Sequence, residues 1–267
     1  MSTSTSIARI NRLSPPERDR FYATFIPSVL LDQFHIDPVT YADAGGSRLL
    51  TVTAKTDGSV VEVDLRHAAG AIDPILYAQL TDTINGQILV MAYVVNDPAS
   101  PRFETDRTSD GSRTHFGVLG RNLPAEEAAR AAGLAPGQVR RGLRILPHSI
   151  LAFEAFVSRL GRDLFFAEPL FYHNAVIFER YGFAYQQGRR WMESIDTRFR
   201  KDGDLLRRLD GSNVFRQPEA SQTILGRSWA IHDGVLGEPF SGVHMYKMVG
   251  KQAGVSTFPD GAWTEEV

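Results

Sequence analysis

The chain has 267 residues, 43% of them hydrophobic and 22% charged, with a net charge of -2 and no cysteine. Such a composition belongs to an ordinary soluble globule of one large or two modest domains, which buries roughly three quarters of its unfolded surface. The small net charge provides no global field for nucleic acid or anionic membrane, and the absence of cysteine excludes disulfides, thiolate nucleophiles, cysteine-type zinc sites and iron-sulfur clusters.

The opening MSTSTSIARI lacks the apolar core of a signal peptide, and no apolar run approaches the roughly 20 residues that span a bilayer, so a cytoplasmic location is expected. Residues 1–13 are small and polar and are expected to fray. Ser14, Pro15, Pro16 and Glu17 then supply an N-cap, first-turn prolines and an early acid, and Phe21, Phe25, Val29 and Phe34 recur at nearly helical spacing. Pro27 removes a donor inside that run, which predicts a break near Ile26.

From Arg48 the hydrophobic period changes to two. RLLTVTAK, Asp57-Gly58 and SVVEVDLR read as one hairpin; ILYAQLTDTI and QILVMAYVV read as a second, joined by Asn85-Gly86 in a type I′ turn. The last of these strands, residues 88–95, is almost wholly apolar and is expected to be central and covered on both faces. Residues 96–120 have no period and read as a long functional loop, followed by a short helix over 124–132 stopped by Gly133.

In the helix expected after Gly142, or from near Leu146 with Pro147 in its first turn, Leu146, Ile150, Phe153, Val157 and Leu160 fall at steps of four, three, four and three, the signature of a helix that packs one face on a sheet. Gly161 ends it. LFFAEPLF then reads as a strand buried on both faces and interrupted at Pro169, paired in parallel with residues 88–95. Asn174 is the expected N-cap of AVIFERY, and Gly182 its C-cap. Beyond Phe183 the sequence predicts helices at RRWMESIDTRFR and DLLRRLD and strands at SWAIHDG and VHMYKMV.

These residues resemble the GNAT superfamily of acetyl-CoA-dependent N-acyltransferases. The family's cofactor loop, V-x-P-x-x-R-G-x-G-x-G/A, is met by LAPGQVRRGLR at Pro136 and Gly142, and its N-x-x-A-x-x-x-Y-E-x-x-G-F helix is met by NAVIFERYGF at Glu179, Gly182 and Phe183. The resemblance covers roughly residues 75–187. Departures are Val139, Arg140 and Arg144 in the loop, Pro147 just after it, the shortened spacing from Asn174, and Phe178 in the place of a frequent general-acid Tyr.

The resemblance implies an α/β (α+β) fold with a mixed, mainly antiparallel sheet of about six or seven strands. It places a helical lead at 1–45, a core at 46–187 and a C-terminal extension packed on that core at 188–267. It further implies an acyl-CoA co-substrate, acetyl-CoA or another, held by Val139, Arg140, Arg141, Gly142, Leu143, Arg144 and Asn174. Free N–H groups at a helix N-terminus favour phosphate oxygens, and arginine adds charge-assisted bonds; a solvated basic turn is the alternative.

The expected activity is acyl transfer to a small-molecule or peptide amine, the alternative being a GNAT-like binding module without chemistry. Tyr172 is the candidate acid, with His173 or Glu168 as base, Glu168 chosen because a carboxylate buried in an apolar strand has its pKa raised. The competing readings are a Tyr and His packed beside a helix cap, and a Glu168 that points to solvent or pairs with an Arg. His232-Asp233 lacks further ligands and reads as a turn, so no metal is expected. The charges over 189–208 alternate in sign, which excludes a basic stripe, so neither nucleic acid nor membrane is an expected partner, and a homodimer is left open.

Overall fold

The computed structural model describes residues 5–114 and 120–264. Its strands β1 (Leu50–Ala54), β2 (Val60–Leu65), β3 (Leu76–Asp82), β4 (Ile88–Val95), β5 (Leu164–Ala167), β6 (Ala184–Gln187) and β7 (His244–Met248) form a 7-stranded sheet in the order β1-β2-β3-β4-β5-β7-β6. The helices are α1 (Ile7–Ile10), α2 (Pro15–Tyr22), α3 (Ser28–Gln33), α4 (Leu123–Ala131), α5 (Leu146–Arg159), α6 (Tyr172–Arg180), α7 (Arg189–Phe199), α8 (Asp204–Arg207) and α9 (Ile224–His232). The first four strands form an antiparallel meander, and β5 pairs in parallel with β4 as expected. This is a mixed, mainly antiparallel α/β fold consistent with a GNAT-like one.

The chain divides into two compact units. The first comprises Met1–Ala99, Gly142–Glu168 and Tyr246–Lys251, the second Ser100–Arg141, Pro169–Met245 and Gln252–Val267. Both are discontinuous in sequence.

In the first unit, register assigns Val61, Val63, Leu65, Leu76, Ala78, Leu80 and Ile88 to one face, and all are fully buried. The amphipathic stripe of α5 supplies the other half of this core: Phe153 meets Phe165 edge-on at 4.8 Å and Phe156 meets Phe25 at 5.4 Å. Burying one such ring contributes about 2–3 kcal/mol. The helical lead breaks as its proline dictates, with α2 running into a 3-10 turn at Ala23–Phe25 and α3 starting after Pro27.

Four expectations change here. Residues 5–13 do not fray: Ile7 and Ile10 are buried, and the Asp82 carboxylate accepts the N–H groups of Ile7 and Ala8 at 3.0 Å each. The second hairpin is not a type I′ turn, because only Gly86 takes a positive φ (70°), with Thr83 N–H bonding Gln87 at 2.7 Å around a three-residue loop. Finally, β4 is central but covered on only one face, with Met91 41% and Val94 38% exposed; an apolar run by itself does not report how many faces are packed. β5 likewise alternates, Phe165 and Ala167 being its buried residues.

In the second unit α6 packs on α9, and Trp229, Phe215, Leu225, Leu134, Ala135 and Ala129 form a buried cluster. Trp229 stacks on Phe215 at 5.1 Å and donates its indole N–H to the Leu134 carbonyl at 2.8 Å. The expected strand at 228–234 is instead the end of α9. Thr223 caps this helix by accepting the Gly226 N–H at 3.0 Å, and every residue from Ile224 to Ile231 is buried, so the helix carries no amphipathic period to read. Strand β6 had no separate signal in the sequence. Residues 115–119 of the long loop lie outside the described residues, and the remainder of 96–120 carries no helix or strand.

Candidate functional site

The candidate site is in the first unit, where β4 outruns β5. Pairing joins Ile88, Leu89 and Val90 to Phe165, Phe166 and Ala167; β5 then ends, two residues before Pro169, while β4 continues to Val95. On its other edge β4 bulges: Leu80 opposes Val90 but Gln79 opposes Ala92, leaving Met91 as the extra residue. Backbone polar groups of β4 past Val90 are therefore turned toward an edge that β5 does not cover.

Gly142 approaches this strand closely, since a methyl group there would sit 3.4 Å from the Val95 carbonyl. The chain then turns through Arg144 in the left-handed region (φ 58°), an uncommon conformation for a residue with a side chain, and enters α5. Among the described residues, no acceptor meets the N–H groups of Gly142, Leu143, Arg144, Ile145, Leu146 or His148. Pro147 has none to offer, and the first satisfied donor is Ser149, bonded to Ile145 at 3.0 Å. Consecutive free donors at the positive end of a 14-residue helix form an anion-accepting surface. The Arg144 side chain is exposed and has no partner among the described residues. Beneath, Tyr93 lies against Ser149, and burial pushes its phenol up to about 12.

The other residues expected to hold the cofactor lie in the second unit, where they clip the chain to itself. The Val139 carbonyl accepts the Phe103 N–H at 2.8 Å, the Arg140 guanidinium bonds the Ser100 carbonyl, and Arg141 donates to the Ala132 carbonyl at 2.8 Å. The two arginine contacts occupy guanidinium donors that the sequence assigned to phosphates. Asn174 is not the N-cap of α6. The helix begins two residues earlier, with extended Phe171 at its cap and the Asn174 N–H bonded to the Phe171 carbonyl at 3.0 Å.

The catalytic candidates are placed as follows. Glu168 is exposed, which removes the burial on which its selection rested. Tyr172 is 1% exposed, its hydroxyl 3.5 Å from the buried Arg227, and burial pushes it up to about 12. His173 is also buried. Its Nδ1 lies 2.8 Å from the Ser228 hydroxyl, its ring stacks on Phe171, and burial, with His232 nearby, lowers its pKa to about 3. A base that weak does not take a proton from an ammonium group near neutral pH.

The motif residues of α6 have structural work. Glu179 accepts the Thr257 N–H at 3.0 Å, the Thr257 hydroxyl at 2.8 Å and the Tyr185 hydroxyl at 2.5 Å; Gly182 is left-handed (φ 82°); Phe178 stacks on Phe183 at 4.8 Å. The sequence reading also missed an ion network behind His232-Asp233. Arg121 bridges Glu126 and Asp233, Arg216 holds Asp233 at 2.7 Å, and His232 lies 3.3 Å from Glu126. Apart from Arg121 and Glu126 the partners are distant in sequence, so no local pattern announces the network.

Among the described residues there is no group of three or more His, Cys, Asp or Glu able to hold a metal, and no helix is long and apolar enough to cross a membrane. Comparison with family models, with curated proteins and with solved structures finds no match.

Proposed function

We propose that the chain is an acyl-CoA-dependent N-acyltransferase-like protein that transfers an acyl group to a small-molecule or peptide amine. The observation that carries this reading is the run of unbonded N–H groups from Gly142 to His148, placed beside the uncovered end of β4. The donors fit the pyrophosphate of a coenzyme A, with Arg144 adding charge. The unpaired edge of β4 fits an extended, amide-containing arm, which it would bind as a strand binds a neighbour. When bound, an acyl-CoA supplies the thioester carbonyl at which a C–N bond forms to the amine as the C–S bond breaks, the amine's proton leaving with the thiol. Backbone N–H groups of β4 past Val90 are the chain's means of polarising that carbonyl.

A scaffold that binds without chemistry is the second reading. It is favoured by Phe178, which has no hydroxyl, and by the buried Tyr172 and His173.

Thermal unfolding with free CoA, acetyl-CoA and a longer acyl-CoA tests the binding. A ligand at a hundred times its dissociation constant stabilises by about 2.7 kcal/mol, and Arg144→Glu should remove most of the shift. No shift with any of the three removes the proposal. A shift without thiol release in the presence of amines leaves the scaffold reading.

A further inference from the structure

In the first unit, cross-strand register fixes what lies on the sheet face opposite the α5 core. Thr53, Glu62, Gln79 and Ala92 stand in one row across β1, β2, β3 and β4, and Ala92 sits beside the Met91 bulge, just past the point where β5 pairing stops. The Gln79 amide donates to Glu62 Oε1 at 3.3 Å, which carries the carboxylate over β3 toward β4. Among the described residues Glu62 meets no cation, whereas Asp64, two residues along the same strand and face, is held by Arg66 at 3.0 Å. Beyond the row the face becomes apolar through Leu89, Val94 and Phe166, the last in ring contact with Tyr246 at 6.3 Å. Half-exposed positions make up this face, and Val94 is 38% exposed.

A carboxylate without a counter-ion beside an exposed apolar strip is complementary to a cation on an apolar body. We infer that Glu62, oriented by Gln79, binds the ammonium group of the acyl acceptor, and that the acceptor is a primary amine on an aromatic or aliphatic body. This rests on the acyl-transfer reading and names its substrate class. Adjacent strands lie about 4.8 Å apart, so a carboxylate reaching over β3 brings an ammonium within a strand's width of the uncovered β4 backbone.

Phenethylamine and its neutral counterpart 2-phenylethanol are the probes, measured by calorimetry against the full chain and against Glu62→Gln. Phenethylamine should bind and the alcohol should not, and Glu62→Gln should weaken the amine roughly tenfold or more. Equal binding of amine and alcohol, no binding of the amine to the unmodified chain, or an unchanged affinity in Glu62→Gln would each overturn the inference. The acetyl-CoA melting shift, read on both proteins, serves as the folding control. An unmodified chain that shows the CoA shift but does not prefer the amine over the alcohol rejects the Glu62 site alone, whereas amine binding without any CoA shift rejects acyl transfer and leaves an amine-binding site.

Discussion

Lys247 on β7 and Glu154 on α5 form an ion pair of 3.1 Å, with side chains only 2% and 11% exposed, and the same ammonium also bonds the Lys251 carbonyl. Desolvating two charges nearly cancels their attraction, but removing one strands the other in the core. Lys247→Met alone should therefore cost about 3–5 kcal/mol by urea unfolding, and Lys247→Met with Glu154→Leu should recover most of it. A double variant no more stable than the single one would show that the pair is not the cause.

The Arg121 network should give the second unit an acid-sensitive component. Burial raises Glu126 and Asp233, but hydrogen bonds from His232 and Arg121 to the first, and from Arg121, Arg216 and Asn213 to the second, outweigh it and hold both below their ordinary values of 4.5 and 3.8. Groups depressed in the folded state contribute stability above the unfolded pKa and lose it as pH falls through the folded one. Arg121→Met should cost about 2–3 kcal/mol at pH 7, a deficit that narrows below about pH 4. A deficit constant down to pH 2.5 would contradict this.

His173 should stay neutral across the physiological range. Its folded pKa of about 3 lies below the ordinary 6.5, so the unfolded chain binds the extra proton, and stability falls as pH drops from 6.5 toward 3. An NMR titration should show the His173 ring unchanged between about pH 5.5 and 7.5, bounds set at about one unit around the ordinary value. A midpoint near 6.5 would return His173 to the set of usable bases.

Gly182 should tolerate no side chain. A Cβ there would lie 1.9 Å from the Gln252 side-chain oxygen, and φ is 82°. Gly182→Ala should cost about 1–3 kcal/mol, and adding Gln252→Ala should return the steric part while leaving about 1 kcal/mol of backbone strain. Full recovery in the double variant would mean that the left-handed turn is not strained.

Local chemistry was legible where one residue sets one outcome. Pro27 broke the lead helix, Gly133 stopped α4, and the step pattern of α5 gave the helix and part of its buried face, Phe153, Val157 and Leu160, though not Glu154 or Phe156. The parallel partner of β4 could also be read, because a helix crossing between two apolar runs admits few alternatives. What stayed hidden depended on distant partners. The capture of α1 by Asp82 needs a residue some 75 positions away, and α9, buried on all sides, offers no period to follow. The site was half legible: the glycine turn marked the free donors at 142–148, but Arg140 and Arg141 gave no sign that the Ser100 and Ala132 carbonyls would claim them. Glu62 passed as one polar tooth of an alternating strand.

The bulge at Met91 changes the parity of β4. Ile88 and Val90 share the core face as even-numbered residues, and Tyr93 and Val95 share it as odd-numbered ones, because one unpaired residue intervenes. The strand is thus two short words read in different frames. Deleting Met91 would do what no substitution in β4 can: it would remove the bulge, bringing Ala92 directly after Val90 opposite Gln79, while Tyr93 and Val95 keep the core face and Val94 the open one. A one-residue deletion at this spot is accordingly the smallest change that straightens β4 beside the candidate site while leaving every downstream side chain on its own face.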